Sequence, residues 1–344
     1  MRNGSANLDW IPRGQIAFEK CPNLKQHQSC WYNVTEDREE LDRADAVIYK
    51  AFHVREDSYM PLQRNVNQTW IFYETESPFL TWDKFRWNNA TIWDKMNMTI
   101  TYAPGSDIVY GMYDVRCKRI SDVSDSQNYA ASKKNAALFL VSDCLSSGRM
   151  SYVKELQKHY PVEIFGKCGK GQICGHFLND LECENDLMET YKFYLAFENS
   201  YCKNYYTEKA VKTMAIKTIP VVLGLQNYTE IIGGGTHVNA RDFKSPKELA
   251  ARLHTLSTDD DAYNEIMRKK MQMKCRKNKE WRAMLCELCE KLHNREGERN
   301  ILPDMRNFWG VKENCLNPRD FFTGISESMG DFRMSSKYKM HGME

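Results

Sequence analysis

The amino-acid sequence predicts an α/β protein with two Rossmann-like domains and a substrate cleft between them. Apolar, strand-like runs alternate with helical segments from residue 136 onward, which is typical of a mostly parallel sheet covered by helices. The length of 344 residues is enough for about two domains. A polar stretch at 121–134, rich in Ser, Asp, Asn and Lys, is typical of a linker.

The first predicted domain covers residues 1–130 and alternates short apolar runs with polar connections. Its strands are predicted where β-branched and aromatic residues cluster, at 46–51, 69–73 and 98–102. Pro78 follows the second of these runs and predicts a turn there, because proline cannot continue regular strand pairing.

The second predicted domain covers residues 131–300 and repeats a strand-then-helix pattern. Its strands are predicted at 136–143, 161–166, 191–197 and 219–224, and its helices at 150–160, 207–217 and 245–256. The last helix has the clearest start, because Ser245 can cap it and Pro246 suits its first position. Residues 301–344 form a C-terminal tail that could pack back on the first domain.

Charge and composition exclude one class of partner. The chain has 48 Lys and Arg against 46 Asp and Glu, for a formal net charge of +2, with 42% hydrophobic and 12% aromatic residues. These values describe an ordinary globular protein without the basic excess of polyanion-binding proteins. We therefore predict no nucleic-acid partner.

Cysteines and glycosylation sequons indicate the compartment. Twelve cysteines are spread along the chain, and six N-x-Ser/Thr sequons occur, at Asn3, Asn33, Asn67, Asn89, Asn97 and Asn227. Together they favour an oxidising, glycosylating lumen over a cytosolic enzyme with buried thiols. No apolar run reaches the ~18–20 residues of a membrane span. We expect any targeting or anchoring segment to be missing from this chain.

The strongest chemical signal is residues 191–209, YKFYLAFENSYCKNYYTEK. The segment begins as a buried strand, passes through a polar loop and ends at a predicted helix start. Open α/β sheets bind ligands beyond the carboxyl ends of their strands, and a helix start with a lysine can bind phosphate. Lys209, and Arg149 in the loop after an earlier strand, are therefore candidate phosphate ligands. Taken alone, each is more often a solvated surface charge than a ligand-binding group.

Both halves of this segment, YKFYLAFENS and the later Y-x-T-E-K, resemble the signature of the α1,3-fucosyltransferases, enzymes that use GDP-fucose. The runs at 141–156 (VSDCLSSGRMSYVKEL) and 219–224 (IPVVLG) are also similar to that family. The resemblance covers about residues 44–293 and implies the GT-B arrangement of two facing Rossmann-like domains.

The resemblance also implies roles for donor-binding residues. Asn199 and Tyr205 would contact the donor, and Glu208 would hold the ribose hydroxyls. Lys209 and Arg149 would stabilise the pyrophosphate as it leaves, since cationic side chains can do this without a metal. The chain departs from the family pattern at Arg241, where a paired Asp usually stands.

The catalytic base is expected in the first domain. An inverting transfer needs one carboxylate to accept the proton of the attacking hydroxyl. The family's F-E-S-P motif matches Glu76-Ser77-Pro78, so the resemblance makes Glu76 the base, with Glu74 as the main competitor. Aromatic residues of this region that could stack on a sugar, although such residues more often belong to a core, are Trp82, Trp87, Trp93 and Tyr102.

Other motifs receive structural interpretations. Cys286 and Cys289 form a C-x-x-C in a helical segment; the family carries a similar motif, which favours disulfides over redox chemistry or zinc binding with His293. Asp259-Asp260-Asp261 resembles a metal-binding acidic motif but joins two predicted helices, so capping is the better interpretation. We predict no metal-binding residues.

The resemblance implies an inverting α1,3-fucosyltransferase that moves L-fucose from GDP-fucose to the 3-OH of N-acetylglucosamine in glycan or glycoprotein acceptors. Cys202 and the cysteine-rich stretch at 167–186 are most similar to plant and invertebrate enzymes that fucosylate the N-glycan core. The alternatives are Lewis-type transfer to N-acetyllactosamine and a non-catalytic relative that binds glycans. We expect no essential cofactor, with a divalent cation (Mn²⁺ or Mg²⁺) acting at most as a stimulator. The family implies a type II membrane protein of the Golgi lumen.

Overall fold

The computed structural model describes residues 11–35, 37–54, 65–82, 92–111, 113–120, 126–144, 148–171, 174, 181–294, 301–302 and 305–323. The strands are β1 (Ala46–Lys50), β2 (Thr69–Glu74), β3 (Met98–Thr101), β4 (Ile108–Val109), β5 (Val115–Arg119), β6 (Lys134–Leu140), β7 (Val162–Phe165), β8 (Tyr191–Phe197), β9 (Ile219–Leu223), β10 (Val238–Asn239) and β11 (Met273–Lys277). The α-helices are α1 (Arg38–Arg43), α2 (Pro78–Thr81), α3 (Arg149–Leu156), α4 (Leu181–Glu189), α5 (Glu208–Lys212), α6 (Tyr228–Ile232), α7 (Pro246–Thr258), α8 (Asp260–Met271), α9 (Trp281–Asn294), α10 (Met305–Phe308), α11 (Val311–Asn314) and α12 (Pro318–Thr323).

The chain forms two compact units. Unit 1 comprises Met1–Asp114, Cys202–Asn204 and Asn278–Cys315, and unit 2 comprises Val115–Tyr201, Tyr205–Lys277 and Leu316–Glu344. The tail is thus shared, because residues 301–315 group with unit 1 and the residues from Leu316 onward with unit 2. The functional domain ranges 1–130, 131–300 and 301–344 stay predictions.

Unit 1 is built on a parallel sheet in the order β1-β2-β3-β4. The three strands predicted in this part of the sequence are confirmed as β1, β2 and β3. Every residue of β2 is buried, as expected for a strand covered on both faces. The predicted turn is also confirmed, because Ser77 caps α2 by accepting from the amide of Leu80, and Pro78 takes the first helical position.

Unit 2 is built on a five-stranded parallel sheet in the order β10-β9-β8-β6-β7. Strand β8 lies at the centre, and all seven of its residues are buried. Phe193, Leu195 and Phe197 pack into a cluster on one face, whereas Tyr194 and Ala196 pack into another on the opposite face. This two-residue alternation explains why six of the seven residues are apolar or aromatic, and the exception, Lys192, is buried and donates to the carbonyl of Ser257.

Helix starts in unit 2 follow the predicted chemistry. Ser245 accepts from the amide of Glu248 at 3.2 Å and caps α7. Asp259 accepts from the amide of Ala262 at 2.9 Å and caps α8, which confirms the capping interpretation of the acidic run. The helix predicted at 207–217 is shorter than expected: α5 ends at Lys212, and a 3-10 turn, Thr213–Ala215, continues it.

Six disulfides pair all twelve cysteines. The C-x-x-C of α9 is structural, as predicted, because Cys286 bonds to Cys21 and Cys289 bonds to Cys30. These bonds tie the N-terminal segment of unit 1 to α9. Complete pairing is typical of proteins from oxidising compartments.

The antiparallel pair of β5 and β11 was not predicted from the sequence. Cys117 and Cys275 lie opposite each other in this pair and form a disulfide. The strands consist mainly of Arg, Lys and Cys, so they lack the β-branched pattern on which strand prediction depends. No helix among the described residues is long and apolar enough to cross a membrane.

Lys270 at the end of α8 makes the stability of the protein depend on pH. Its ammonium group is buried and donates to the carbonyl oxygen of Ile216. Burial lowers the pKa of Lys270 from 10.5 to about 7, against the attraction of Glu189. Over this window the unfolded chain binds more protons than the folded chain, so this lysine makes the free energy of unfolding rise with pH.

We expect Lys270→Met to remove that rise. Its gain in stability over wild type should be largest below about pH 7 and should shrink towards about pH 10, as measured by urea denaturation. Lys269→Met is the matched control, because Lys269 is exposed and pairs with Glu265. Burial also lowers the pKa of Lys133, to about 8. Lys133 therefore adds its own rise of the free energy of unfolding with pH in the wild type and in both variants. Equal pH slopes for wild type and Lys270→Met would contradict the assignment.

Candidate active site

Polar side chains gather where the central strand β8 of unit 2 ends. Glu198 follows the last strand residue, Phe197, and its side chain is fully buried. Its carboxylate accepts from the amide of Thr207 at 3.0 Å and from the hydroxyl of Thr207 at 2.7 Å. These bonds draw the start of α5 onto the end of β8. The amide of Thr207 at this helix start is therefore already bonded.

Lys209 lies on α5 within reach of three oxygen atoms. Its ammonium donates to the hydroxyl of Thr207 at 2.6 Å and lies 3.3 Å from Glu208 Oε1 and 3.5 Å from Glu198 Oε2. The side chain is 16% exposed, so it is held by the protein yet open to a ligand.

The charge states of these residues suit anion and hydroxyl binding. Burial disfavours the charged ammonium, but the carboxylates of Glu198 and Glu208 outweigh it and raise the pKa of Lys209. Burial alone would raise the pKa of the Glu208 carboxyl group, but the positive charge of Lys209 outweighs burial and lowers this pKa. Lys209 is therefore a cation and Glu208 an ionised acceptor for hydroxyl groups at neutral pH.

Arg149 brings a second cation to the same strand end. Gly148 adopts a left-handed conformation, with φ of 64°, and leads the chain into the first turn of α3. The buried guanidinium of Arg149 donates to the carbonyl of Phe197 at 2.9 Å and to that of Asp143 at 3.3 Å. Its charge is close enough to oppose protonation of Lys209. Two neighbouring cations can neutralise a diphosphate.

Asn199 and Tyr205 are joined directly. The hydroxyl of Tyr205 donates to the side-chain oxygen of Asn199 at 2.9 Å. Tyr205 is almost fully buried, whereas Asn199 is half-buried in the loop after β8. Tyr205 therefore orients the amide of Asn199 and leaves its nitrogen to donate.

Gly224, just after β9, has to be a glycine. A Cβ at this position would collide with the hydroxyl of Tyr228 and lie 3.3 Å from Cγ of Glu198. The tyrosine ring of α6 thus packs closely against the backbone beside the buried Glu198.

In unit 1, Glu74 and Glu76 have different environments. Glu74 is fully buried, forms an ion pair with Lys50 at 2.6 Å and accepts from the amide of Phe52 at 2.6 Å. It also accepts from the amides of Thr75 and Glu76, each at 2.8 Å. Oε1 of Glu74 thus receives three of these four bonds and Oε2 receives the bond from Phe52, so both oxygens are engaged within the protein.

Glu76 is half-buried and follows the carboxyl end of β2, just before the cap of α2. The backbone amide of Glu76 donates to the carboxylate of Glu74. The buried ion pair of Glu74 with Lys50 therefore holds the loop that carries Glu76 in place.

The aromatic residues of unit 1 are mainly core. Trp93 is almost fully buried and packs edge-on against Phe72. Trp82 donates to the carbonyl of Trp309 at 2.6 Å, and Tyr102 packs against the same tryptophan. Trp87 lies outside the described residues. A tryptophan that the sequence did not single out, Trp31, is 74% exposed.

A metal centre finds no support in the part of the chain that the structure describes. The cluster with suitable geometry there is Cys30, Cys289 and His293, but its two cysteines form a disulfide and cannot ligate as thiolates. Asp260 of the acidic run pairs with the buried Lys192 at 3.3 Å. The expectation of no essential cofactor stays a prediction.

The structure brings the five predicted donor residues to one strand end. Arg149, Asn199, Tyr205, Glu208 and Lys209 all lie in unit 2 around the carboxyl end of β8, and Glu76 lies in unit 1. Their roles stay predictions. The departure from the family pattern at Arg241 has a packing role, since its guanidinium lies 5.4 Å from the ring centre of Phe321.

Glu198 was missed by the sequence reasoning. A carboxylate that directly follows a strand of seven buried residues has to be paired, and Lys209 lies nearby along the chain. That signal could have identified it.

Two family profiles together match most of the chain. The profile described as "Glycosyltransferase family 10 (fucosyltransferase) C-term" matches residues 130–309, and "Fucosyltransferase, N-terminal" matches residues 6–113.

Curated relatives agree with these matches. The glycoprotein 3-alpha-L-fucosyltransferase A of Drosophila melanogaster is 32% identical over 313 residues, which is 87% of this chain and 58% of that protein. This chain thus spans less than two thirds of that relative. The 4-galactosyl-N-acetylglucosaminide 3-alpha-L-fucosyltransferase FUT6 of Homo sapiens is 31% identical over 295 residues, 82% of this chain and 77% of that protein.

Solved structures share the fold. An α1,3-fucosyltransferase crystallised with GDP aligns with a TM-score of 0.52 and 17% identity, covering 76% of this chain and 81% of that chain. One crystallised with GDP-fucose aligns with a TM-score of 0.50 and 16% identity, covering 75% and 80%. The predicted α/β fold class of GT-B type is confirmed.

Proposed function

The chain belongs to glycosyltransferase family 10, the fucosyltransferases, and from this membership we propose that it is an inverting α1,3-fucosyltransferase. It transfers L-fucose from GDP-fucose to the 3-OH of N-acetylglucosamine in N-glycans. The observation that carries the proposal is the pair of cations, Arg149 and Lys209, at the carboxyl end of β8. Relatives solved with GDP and with GDP-fucose add support for this donor.

The reaction exchanges one bond at the anomeric carbon of fucose. The acceptor 3-oxygen forms a bond to that carbon while the bond to the diphosphate oxygen breaks, and the acceptor proton moves to the Glu76 carboxylate. Lys209 and Arg149 stabilise the negative charge that develops on GDP. Glu208 accepts hydrogen bonds from the ribose hydroxyls, and Asn199, oriented by Tyr205, donates to the nucleotide.

Glu76 is favoured over Glu74 as the base by its surroundings. A general base must be able to take up a proton within hydrogen-bond reach without losing an ion pair inside the protein. Glu74 is occupied by Lys50 and by three backbone amides, so protonating it would break an ion pair inside the protein. Glu76 is half-buried and lies two residues beyond this pair.

Glu198 is a positioning residue for Lys209. Its charge holds the ammonium at the strand end and raises the pKa of Lys209. We expect Glu198→Gln to raise KM for GDP-fucose by about tenfold, with a smaller effect on kcat, because glutamine can still accept from the Thr207 amide and donate to the Thr207 hydroxyl but loses the ion pair. The alkaline limb of the pH profile should move to lower pH, because Lys209 then loses its proton more readily.

Measuring kcat/KM for GDP-fucose against pH tests this role. Glu184→Gln is the control. Glu184 pairs with Lys212, which lies on the same helix as Lys209, so this variant should leave the alkaline limb of the pH profile unmoved. An unchanged alkaline limb in Glu198→Gln would exclude the positioning role.

The acceptor we propose is the N-acetylglucosamine of the N-glycan core. The glycoprotein enzyme of Drosophila and the disulfide-bonded cysteines Cys202 and Cys315 favour this assignment. Lewis-type transfer to N-acetyllactosamine is the second candidate, because the human relative carries that substrate class in its name. An inactive glycan-binding relative is the third.

Incubation of the protein with GDP-fucose and either a core N-glycan peptide or N-acetyllactosamine separates these candidates. GDP release together with a fucosylated core product supports the proposal. Product formed only from N-acetyllactosamine supports the Lewis-type alternative. GDP binding without turnover on either acceptor supports the inactive relative.

We further propose that residues 1–130 serve the acceptor and residues 131–300 bind GDP-fucose. The protein works in the Golgi lumen in association with the membrane, without an essential cofactor. Its six disulfides support an oxidising compartment.

A further inference from the structure

The exposed indole of Trp31 lies two residues before a glycosylation sequon, Asn33-Val34-Thr35. Burial alternates along this segment: Trp31 and Asn33 are exposed, and Tyr32 between them is buried. In extended chain, residues two apart project from the same face. Trp31 and Asn33 therefore share the solvent face of the segment.

This segment is held rigidly. Tyr32 pairs with Gly14 through two backbone hydrogen bonds of 2.6 and 3.4 Å, and Cys30 is bonded to Cys289 of α9. One side of the Trp31 ring faces Gly14, where an added Cβ would lie 3.6 Å from the ring. Trp31 is 74% exposed on this fixed backbone, so most of its ring surface is available for contact with a sugar.

A groove of about 1090 Å³ runs beside this face, lined by Trp31, Asn33, Glu40, Arg43 and residues of β1. The side-chain nitrogen of Asn33 donates to Glu40 at 3.1 Å at its rim. The groove thus combines an aromatic surface with charged and amide groups, the mixture that suits a carbohydrate with one apolar and one hydroxylated face.

We propose that Asn33 carries an N-linked glycan whose first sugar packs against the exposed ring of Trp31 and fills this end of the groove. Attachment uses an oligosaccharide on a lipid diphosphate. A bond forms between Nδ2 of Asn33 and the anomeric carbon, the bond from that carbon to the diphosphate oxygen breaks, and one amide proton is released. The remaining N–H still donates to Glu40.

The other described sequons differ in ways that provide controls. Asn97 is 2% exposed and accepts from the amide of Trp70, so we expect it to stay unmodified in the folded protein. Asn67 and Asn227 are exposed, but Asn65 and Leu225 stand two residues before them instead of an aromatic residue. Asn67 nevertheless lines the same groove as Trp31, so Asn227 is the cleaner control.

The test uses protein secreted from a glycosylating cell. Glycopeptide mass spectrometry should find Asn33 occupied and Asn97 empty. Trp31→Ala should lower the Tm by about 2 °C when Asn33 is glycosylated and by much less in an Asn33→Gln background. Trp31→Phe should keep most of the stability, and Thr35→Ser, which retains the sequon, should behave as wild type.

An unmodified Asn33 in the secreted protein would overturn the proposal. So would the same Tm loss for Trp31→Ala with and without the glycan, because Trp31 would then act only through the protein. Asn227→Gln should leave the Tm loss caused by Trp31→Ala unchanged. If Asn227→Gln reduced that loss as much as Asn33→Gln does, the pairing of Trp31 with the Asn33 glycan would be contradicted. If Asn33→Gln is not secreted, Thr35→Ala removes the same sequon.

Discussion

Replacing Lys209 by methionine is expected to lower kcat/KM for GDP-fucose by about 100- to 1000-fold, the range found when one preorganised charge-stabilising group is removed from an active site. The ammonium of Lys209 is held by Thr207, Glu208 and Glu198 at the end of β8, beside the guanidinium of Arg149. Methionine keeps the length and apolar stem of the side chain but cannot neutralise a leaving diphosphate.

The size of the loss has a second cause. Without Lys209 the buried Glu198 lacks its ion-pair partner and adds an uncompensated negative charge where GDP binds. A double variant, Lys209→Met with Glu198→Gln, should therefore recover part of the affinity for GDP, although not the rate.

Steady-state kinetics and calorimetric titration with GDP measure the two effects separately. Lys212→Met is the matched control, one turn later on the same stretch and paired with Glu184. It should retain activity within a few-fold of wild type. Near-wild-type turnover by Lys209→Met would remove this residue from the donor site.

Glu76→Gln is expected to lower kcat by about 10²- to 10⁴-fold, the range for loss of a general base. Glutamine has the same size and can accept a hydrogen bond, but it cannot take the acceptor proton. Affinity for GDP-fucose should stay near wild type, because the donor residues lie in unit 2. Rapid-mixing kinetics with saturating donor and acceptor provide kcat free of binding effects.

Glu74→Gln is the informative comparison. It would leave the buried Lys50 without its carboxylate partner, so we expect a lower Tm and poor expression rather than a folded protein with a specific chemical defect. If Glu74→Gln folds but is inactive while Glu76→Gln is active, Glu74 and not Glu76 is the catalytic base.

The sequence was sufficient for the elements whose local signals agree with their packing. Strand β8 coincides with its predicted bounds, because a run of seven residues of which six are apolar or aromatic suits the centre of a parallel sheet. Helix α7 was marked by its serine cap and first-turn proline. The donor residues were located by a resemblance, and the structure adds how they are held.

Other features depend on distant residues and could not be predicted. The pairing of β5 with β11 joins charged strands whose disulfide-bonded cysteines are 158 positions apart, and this disulfide supplies stability that the side-chain pattern does not signal. The difference between Glu74 and Glu76 is decided by Lys50 on a neighbouring strand. The burial of Glu198 depends on the chain coming back to the end of β8 at Thr207, whose amide and hydroxyl donate to the Glu198 carboxylate.

The most direct measurement is the linkage of the product formed from GDP-fucose and a defined core N-glycan, determined by NMR. We predict one fucose joined through an α bond to the 3-oxygen of a core N-acetylglucosamine, and no such product from Glu76→Gln. Fucose on another oxygen, a β-linked product, or no product from a wild-type protein that binds GDP would contradict this prediction.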